Sequence, residues 1–168
     1  DAVLSLSLTQ DFVRPLYHWR TSRPHAYSHS LLNSPCDDNA LFTDGPGLGA
    51  PPQNVQLQTD SYLLDYLGGG FDLVYVADAQ GLPPAISQAV VTLQQQGVPL
   101  KLTAISAEAK HIEGAQQTLH DPQQRFAERY AVQAGGAYLF RPDQHICARW
   151  LKVDAARLQQ SLQVALMQ

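Results

Sequence analysis

The sequence predicts an α/β domain built on a mixed sheet, and three observations carry that prediction. From about residue 53 onward, short apolar runs of strand character alternate with amphipathic segments of helical spacing. FDLVYVA (71–77) is a near-continuous apolar run, as in a central strand covered on both faces. AYLF and ICARW flank a tight turn near the end of the chain and read as an antiparallel hairpin.

Each element follows from local chemistry. NVQLQ (54–58) is a short strand candidate, and Asp60 or Ser61 caps a helix over Tyr62 to Leu67 that Gly68-Gly69-Gly70 closes. After the 71–77 strand, Pro83 and Pro84 stand where a helix starts. Its buried stripe is Ile86, Val90 and Leu93, and Gly97 ends it. PLKLTAIS (99–106) is a strand with Leu100, Leu102 and Ala104 on one face. Residues 107–120 show no period and read as loose chain, with His111 and His120 at the surface. Asp121-Pro122 then look like the N-cap and first residue of a helix over QQRFAERY. The hairpin follows, and Asp154 caps a last helix that buries Leu158, Leu162 and Ala165. The order β-α-β-α-β-α-β-β-α, in a stretch of ordinary domain size, is the thioredoxin order.

The first fifty residues lack such order. Ala2 to Val13 is apolar enough for a short helix or an extended segment, and Pro15 stops it. The run 14–27 mixes Arg14, Arg20 and Arg23 with Tyr17, Trp19 and Tyr27 and has neither period, so it reads as an extended connection packed on a neighbour. DGPGLGAPP (44–52) is turn material. Its glycines are interrupted by Pro46 and Pro51, and no strand leads into a helix there, so a nucleotide loop is disfavoured. The prediction is an irregular N-terminal extension over 1–50 and a thioredoxin-like domain over 51–168.

Composition narrows the function. The chain has 168 residues, 45% hydrophobic and 15% charged, with net charge −4. That charge argues against nucleic acid as a partner, and no apolar run is long enough for a membrane span. The chain opens DAVLSLSLTQ without Met or a signal sequence, which reads as a fragment or processed chain with the cytoplasm as its expected compartment. His25 and His29 are four apart with His18 nearby, but Pro24 and the lack of a carboxylate at a useful offset disfavour metal binding.

Redox chemistry is tested at one place. A thioredoxin-fold oxidoreductase holds its thiolate where the central strand meets the next helix, whose N-terminus lowers the thiol pKa. Here that segment is Val76-Ala77-Asp78-Ala79-Gln80-Gly81-Leu82-Pro83-Pro84, without Cys, Ser or Thr; Asp78 reads as a turn or capping residue. Before the hairpin, where a thioredoxin sets a cis-proline, stand Gly135-Gly136-Ala137. The two cysteines lie elsewhere. Cys147 reads as a buried apolar residue, and Cys36 sits beside Asp37 and Asp38, which would raise its pKa. No catalytic residue, cofactor-binding residue or metal ligand is assigned.

The hairpin raises its own question. With Pro142, Asp143 and Gln144 as its turn, Arg141 faces His145, Leu139 faces Cys147 and Ala137 faces Arg149. Phe140 then faces Ile146 and Tyr138 faces Ala148 on the other side. Arg141, His145 and Arg149 thus form one basic face, a candidate docking face for carboxylates or carbonyls of a helix, domain or subunit.

With these residues in hand, a resemblance emerges. YLFRPDQHICARW (138–150) resembles the C-terminal domain of class A flavin-dependent aromatic hydroxylases, the phenol hydroxylase and hydroxyphenylpropionate hydroxylase group. GLGAPPQNVQL (47–57) and LLDYLGGGFDLVYV (63–76) match that family's entry into the domain, and SLTQDFVRPLYHWR (7–20) looks like the exit from its flavin-binding domain. One departure stands out: the family usually has Gly at the position of Gln144, where a left-handed residue forms the bulge of such a turn. A residue with a Cβ costs about 1 kcal/mol there.

The resemblance implies an accessory domain without redox cysteines, with residues 1–50 as the segment leaving a flavin-binding domain. FAD, NAD(P)H and the aromatic substrate would be handled by preceding domains of the same polypeptide. The implied role is packing on those flavin-binding and substrate domains and support of subunit assembly, with a homo-oligomer as a further partner. Two other readings stay open: a stand-alone thiol oxidoreductase or peroxidase using Cys147 or Cys36, and a small-ligand or protein-binding module using the basic hairpin face.

Overall fold

The structure, a computed structural model, describes residues 24–35 and 37–167. The expectations for residues 2–23 and for Cys36 lie outside the described residues. Among the described residues, seven strands and three α-helices follow a 3-10 turn at Asp37–Leu41: β1 (Gln56–Gln58), β2 (Ser61–Tyr62), a second 3-10 turn (Leu63–Tyr66), β3 (Phe71–Val76), α1 (Pro84–Gln95), β4 (Leu100–Ser106), β5 (Gln117–His120), α2 (Arg125–Tyr130), β6 (Ala137–Phe140), β7 (Ile146–Trp150) and α3 (Ala155–Ala165). The five long strands form one sheet in the order β5-β4-β3-β6-β7. β3, β4 and β5 are parallel, whereas β6 and β7 are antiparallel to their neighbours. The fold is thioredoxin-like.

Two apolar layers enclose the sheet. On one face Leu73, Leu102, Leu139 and Trp150 meet Ile86, Val90 and Leu93 of α1 and Leu158 and Leu162 of α3. On the other, Val74, Ile105, Tyr138, Phe140 and Ile146 meet Phe126 and Tyr130 of α2, with Val55, Leu57 and Leu63. Alternation along each strand divides its side chains between the layers. The helix ends follow their sequence signals. Pro83 and Pro84 open α1 and Gly97, at φ +90°, follows its end; the Asp154 carboxylate accepts the Arg157 amide at 2.9 Å.

The periphery departs from the sequence reading in four ways. NVQLQ contributes β1, which pairs only with β2, so it lies on the face of the main sheet rather than within it. The place beside β4 belongs to β5, inside the stretch that reads as loose. Of its four residues Leu119 alone is fully buried, so no alternation betrays it. The helix expected over 62–67 is one 3-10 turn; four residues are too few to nucleate an α-helix, and the Asp65 carboxylate draws the Tyr62 amide to 2.9 Å. α2 begins at Arg125 rather than Pro122. Buried Asp121 still caps it, accepting the amides of Arg125 at 3.1 Å and Phe126 at 2.8 Å.

Buried charge ties the pieces together. Asp72, 1% exposed in the central strand, accepts the Gly68 amide at 2.6 Å and lies 2.9 Å from the Lys101 ammonium, which also reaches the Tyr66 carbonyl. The triglycine is thereby held to the sheet.

Residues 24–50 run along the outer edge of β7. Ser34 donates to the Cys147 carbonyl at 2.7 Å, Gly49 to Ile146 at 2.7 Å, and Ile146 to Ala50 at 3.0 Å. Asp38 accepts the amides of Leu151 at 3.1 Å and Lys152 at 3.4 Å and pairs with Arg157 at 3.0 Å. Replacing Asp38 with Ala removes the acceptor of the Leu151 and Lys152 amides and one partner of the Arg157 guanidinium. The expected loss is about 2 kcal/mol of stability, with faster amide exchange at Leu151, Lys152 and Ser34; unchanged exchange there would show that the arm does not depend on this latch.

Candidate functional site

Two places are candidates for function: the junction of β3 with α1, where a thioredoxin-fold enzyme keeps its thiol, and the 137–150 hairpin.

At the junction, Asp78 makes a turn. Its Oδ1 accepts the amides of Gln80 at 2.9 Å and Gly81 at 3.1 Å. The loop 107–116 closes over the start of α1. Ile112 is buried there, and a Cβ at Gly114 would lie 2.9 Å from the Ser87 Cβ. The space left, about 520 Å³, is lined by Gln80, Ser87, Lys110, His111 and Glu113 among others. The Ser87 hydroxyl is spent on the Pro84 carbonyl at 2.9 Å, and Lys110 pairs with Glu108 at 2.8 Å. On the far side, Gly135 donates to the Val76 carbonyl and Val76 to that of Gly136, both at 2.9 Å. A Cβ at Gly136 would lie 2.9 Å from the Val132 Cβ, so this position cannot carry a side chain without movement.

Cys147 is a free, fully buried thiol. Burial pushes its pKa up to about 12, outweighing the nearby Arg141 charge, and its Sγ lies 3.5 Å from the Leu139 carbonyl. It packs as an apolar side chain.

The hairpin register differs from simple alternation. Phe140 faces Ile146, and Arg141 donates to the His145 carbonyl at 2.9 Å, both as read from the sequence. Beyond them the strand carries a bulge: Leu139 faces Ala148, Tyr138 faces Arg149 and Ala137 faces Trp150, leaving Cys147 as the extra residue. One added residue shifts every later side chain to the opposite face. Arg149 therefore lies with Tyr138 on the α2 side, while Arg141 shares the side of Leu139. The single basic face read from the sequence is split in two.

Both arginines are buried and turn toward the arm. Arg149 donates to Asn39 Oδ1 at 2.8 Å and to the Pro46 carbonyl at 3.1 Å, and its guanidinium lies 4.2 Å from the Phe42 ring centre. Arg141 forms a two-pronged pair with Asp143, at 3.1 and 2.7 Å, and reaches Ser30 Oγ at 3.4 Å. His145 packs edge-on against Tyr27, ring centres 5.1 Å apart. Gln144 follows the turn residues Pro142 and Asp143 with φ +63°, so the fold tolerates the left-handed residue; its amide reaches the Leu67 carbonyl at 3.3 Å. Asp38, Asp72 and Asp121 organise this molecule as much as the arginines do; of the three, the sequence marked only Asp121, as a helix cap.

A second anchor holds the far end of the arm. The Tyr130 hydroxyl donates to the Gln53 carbonyl at 2.8 Å, and that of Tyr138 to the Tyr130 carbonyl at 2.7 Å. Burial raises both phenols, Tyr138 to about 12. Among the described residues no three His, Cys, Asp or Glu side chains converge to hold a metal, and no helix is long and apolar enough to cross a membrane.

Comparison with known proteins places this geometry. No family model matches the chain, and no curated protein matches it in sequence. Solved structures do. The K252c-soaked structure of RebC aligns over 99% of the chain at 19% identity and TM-score 0.59. A ternary complex of aklavinone-11 hydroxylase with FAD and aklavinone aligns over 83% at 26% identity and TM-score 0.58. The flavin-dependent monooxygenase PieE, in complex with FAD and substrate, aligns over 86% at 22% identity and TM-score 0.51. In fold, the chain is similar to a part of each of these enzymes. It spans about a quarter of each relative, 27%, 26% and 23% of their lengths.

The glycine-rich loop 44–52 does not form a phosphate cradle. A Cβ at Gly45 would stand 2.6 Å from the Tyr130 carbonyl oxygen and one at Gly49 2.1 Å from that of Tyr27. These glycines admit the chain's own backbone rather than a phosphate, and no helix opens on the loop.

Two measurements check the site. Partial burial works to raise the Asp143 carboxyl, but bonds from Arg141 and the His145 amide, with the charges of both residues, hold it below its ordinary 3.8. A depressed carboxyl stabilises the fold above its unfolded pKa, and that contribution fades as pH falls through the folded value. The stability difference between the wild type and Asp143→Asn is therefore full at neutral pH and shrinks below 3.8; a difference that grows on acidification would contradict the pairing. Alkylation of Cys147 in the native chain at neutral pH should proceed only through unfolding, at a rate that denaturant raises steeply.

Proposed function

We propose that this chain is a non-catalytic C-terminal accessory domain of an FAD-dependent, NAD(P)H-using aromatic-ring monooxygenase. Its work is to pack on the flavin-binding and substrate domains that precede it and to help the parent enzyme assemble. The observation that carries this reading is the β3–α1 junction: a thioredoxin-like fold whose thiol position holds the Asp78 turn and whose groove is covered by the 107–116 loop. Thiol exchange needs an accessible thiolate at a helix start, and buried Cys147 lies on β7. The likeness to flavin-dependent hydroxylases supports the parent's chemistry.

In this role the arm has a mechanical task. The arm is fixed to β7 and α3 through Asp38, Arg149 and Arg157. A domain anchored so firmly transmits its position to whatever precedes it.

The test is a titration of the purified chain with FAD and NADPH. The expected result is no stoichiometric flavin retention and no hydroxylation of phenolic acids; tight flavin binding or turnover by this chain alone would overturn the reading. Joined to the polypeptide encoded upstream of Asp1, the domain should accompany a yellow, flavin-retaining protein.

A further inference from the structure

The arm contains a peptide bond whose surroundings favour chemistry on the chain itself. Asp44 is the one aspartate in the sequence that is followed by glycine. Its side chain is exposed, and the Gly45 amide donates to its Oδ1 at 2.7 Å. That contact places the carboxyl carbon beside the amide nitrogen, as in a near-attack pair. Gly45 has no Cβ to hinder a ring that closes on its nitrogen.

Elsewhere the fold blocks the same approach. Asn33 precedes Ser34, but it is buried and its Nδ2 donates to the Tyr27 and Ser28 carbonyls at 2.9 and 3.2 Å. The Ser34 amide is held on the Cys147 carbonyl at 2.7 Å. Asp143 is clamped by Arg141, and the amide that follows it, that of Gln144, donates to the Arg141 carbonyl at 2.8 Å.

We propose that Asp44–Gly45 is a self-modification site, where the arm converts to isoaspartate and thereby slackens its Arg149 anchor. The Gly45 nitrogen attacks the carboxyl carbon of protonated Asp44. An N–Cγ bond forms, the Cγ–OH bond breaks, and the hydroxyl leaves as water with the amide proton. The product is a cyclic succinimide. Water then adds to one of its two carbonyls. Addition at Cγ restores aspartate. Addition at the main-chain carbonyl breaks that carbon's bond to the Gly45 nitrogen, so the chain now runs through the side chain and an α-carboxylate is freed. Nothing is oxidised or reduced, and mass and charge end as they began.

Position gives the reaction its consequence. Arg149 gathers Asn39 Oδ1, the Phe42 ring and the Pro46 carbonyl, and Asp44–Gly45 lies within that span. Isoaspartate adds one carbon to the main chain there. Gly45 has no room to absorb it, since even a Cβ would stand 2.6 Å from the Tyr130 carbonyl oxygen. The added length displaces the Pro46 carbonyl from Arg149.

The test is to hold the purified chain in mildly acidic buffer for weeks and then map its peptides. The expected product at residue 44 is first a species lighter by one water. It is followed by a peptide of unchanged mass that an isoaspartate-specific carboxyl methyltransferase labels. Label should accumulate there about tenfold faster than at any other position. In the labelled fraction the Gly49 amide should exchange roughly tenfold faster than in fresh chain. Asp44→Glu keeps the charge but would need a larger ring, and should show neither change. Asp44→Asn reaches the same succinimide by losing ammonia, and should show both sooner. The proposal is overturned by an absence of label at residue 44, or by label spread evenly over the aspartates. It is also overturned if Gly49 exchange is unchanged in the labelled fraction, or if Asp44→Glu loosens equally with age.

Discussion

Strand β7 is the outer strand of the sheet, and its backbone groups have to find partners. An open edge of this kind recruits other chains. In this molecule the arm of residues 24–50 supplies the partners, with bonds from Ser34 and Gly49 to the carbonyls of Cys147 and Ile146. The rest of the architecture follows from that cover. Asp38 sits where it can accept two amides beyond the end of β7 and the Arg157 side chain of α3, fixing arm, strand and helix at one point.

The bulge at Cys147 makes the cover two-sided. Without it Arg141 and Arg149 would share a face, and one side of the arm would lack a cationic anchor. With it, Arg141 reaches Ser30 on one side and Arg149 reaches Asn39 and Pro46 on the other. Buried guanidinium groups are costly unless their donors are met, and here the chain itself meets them. The face that sequence alone offers as a docking surface is thus engaged within the molecule.

The sheet's centre was legible because burial on both faces writes a continuous apolar run, as in 71–77. α1 and α3 were legible because proline, glycine and an aspartate cap mark their ends. β5 was hidden, since a short edge strand with one buried residue leaves no period. β1 was visible as strand but not as half of a separate ribbon, because strand propensity says nothing about which edge a strand joins, and its partner β2 was read as a helix start. The hairpin turn and its innermost pairs were legible; the register beyond them was not, because a bulge leaves no mark in alternation when both faces are apolar.

By itself the sequence determined the α/β class, the order of the central strands and helices, and the lack of a thiol where the fold would use one. Those are statements about residue type along the chain, and local chemistry suffices for them. Tertiary structure alone decided which side of the sheet Arg149 occupies, which strand takes the edge beside β4, and that Asp38 and Asp72 are buried acceptors rather than surface charges. Each depends on groups distant in sequence meeting in space, and a buried carboxylate is recognised only by the donors folded around it.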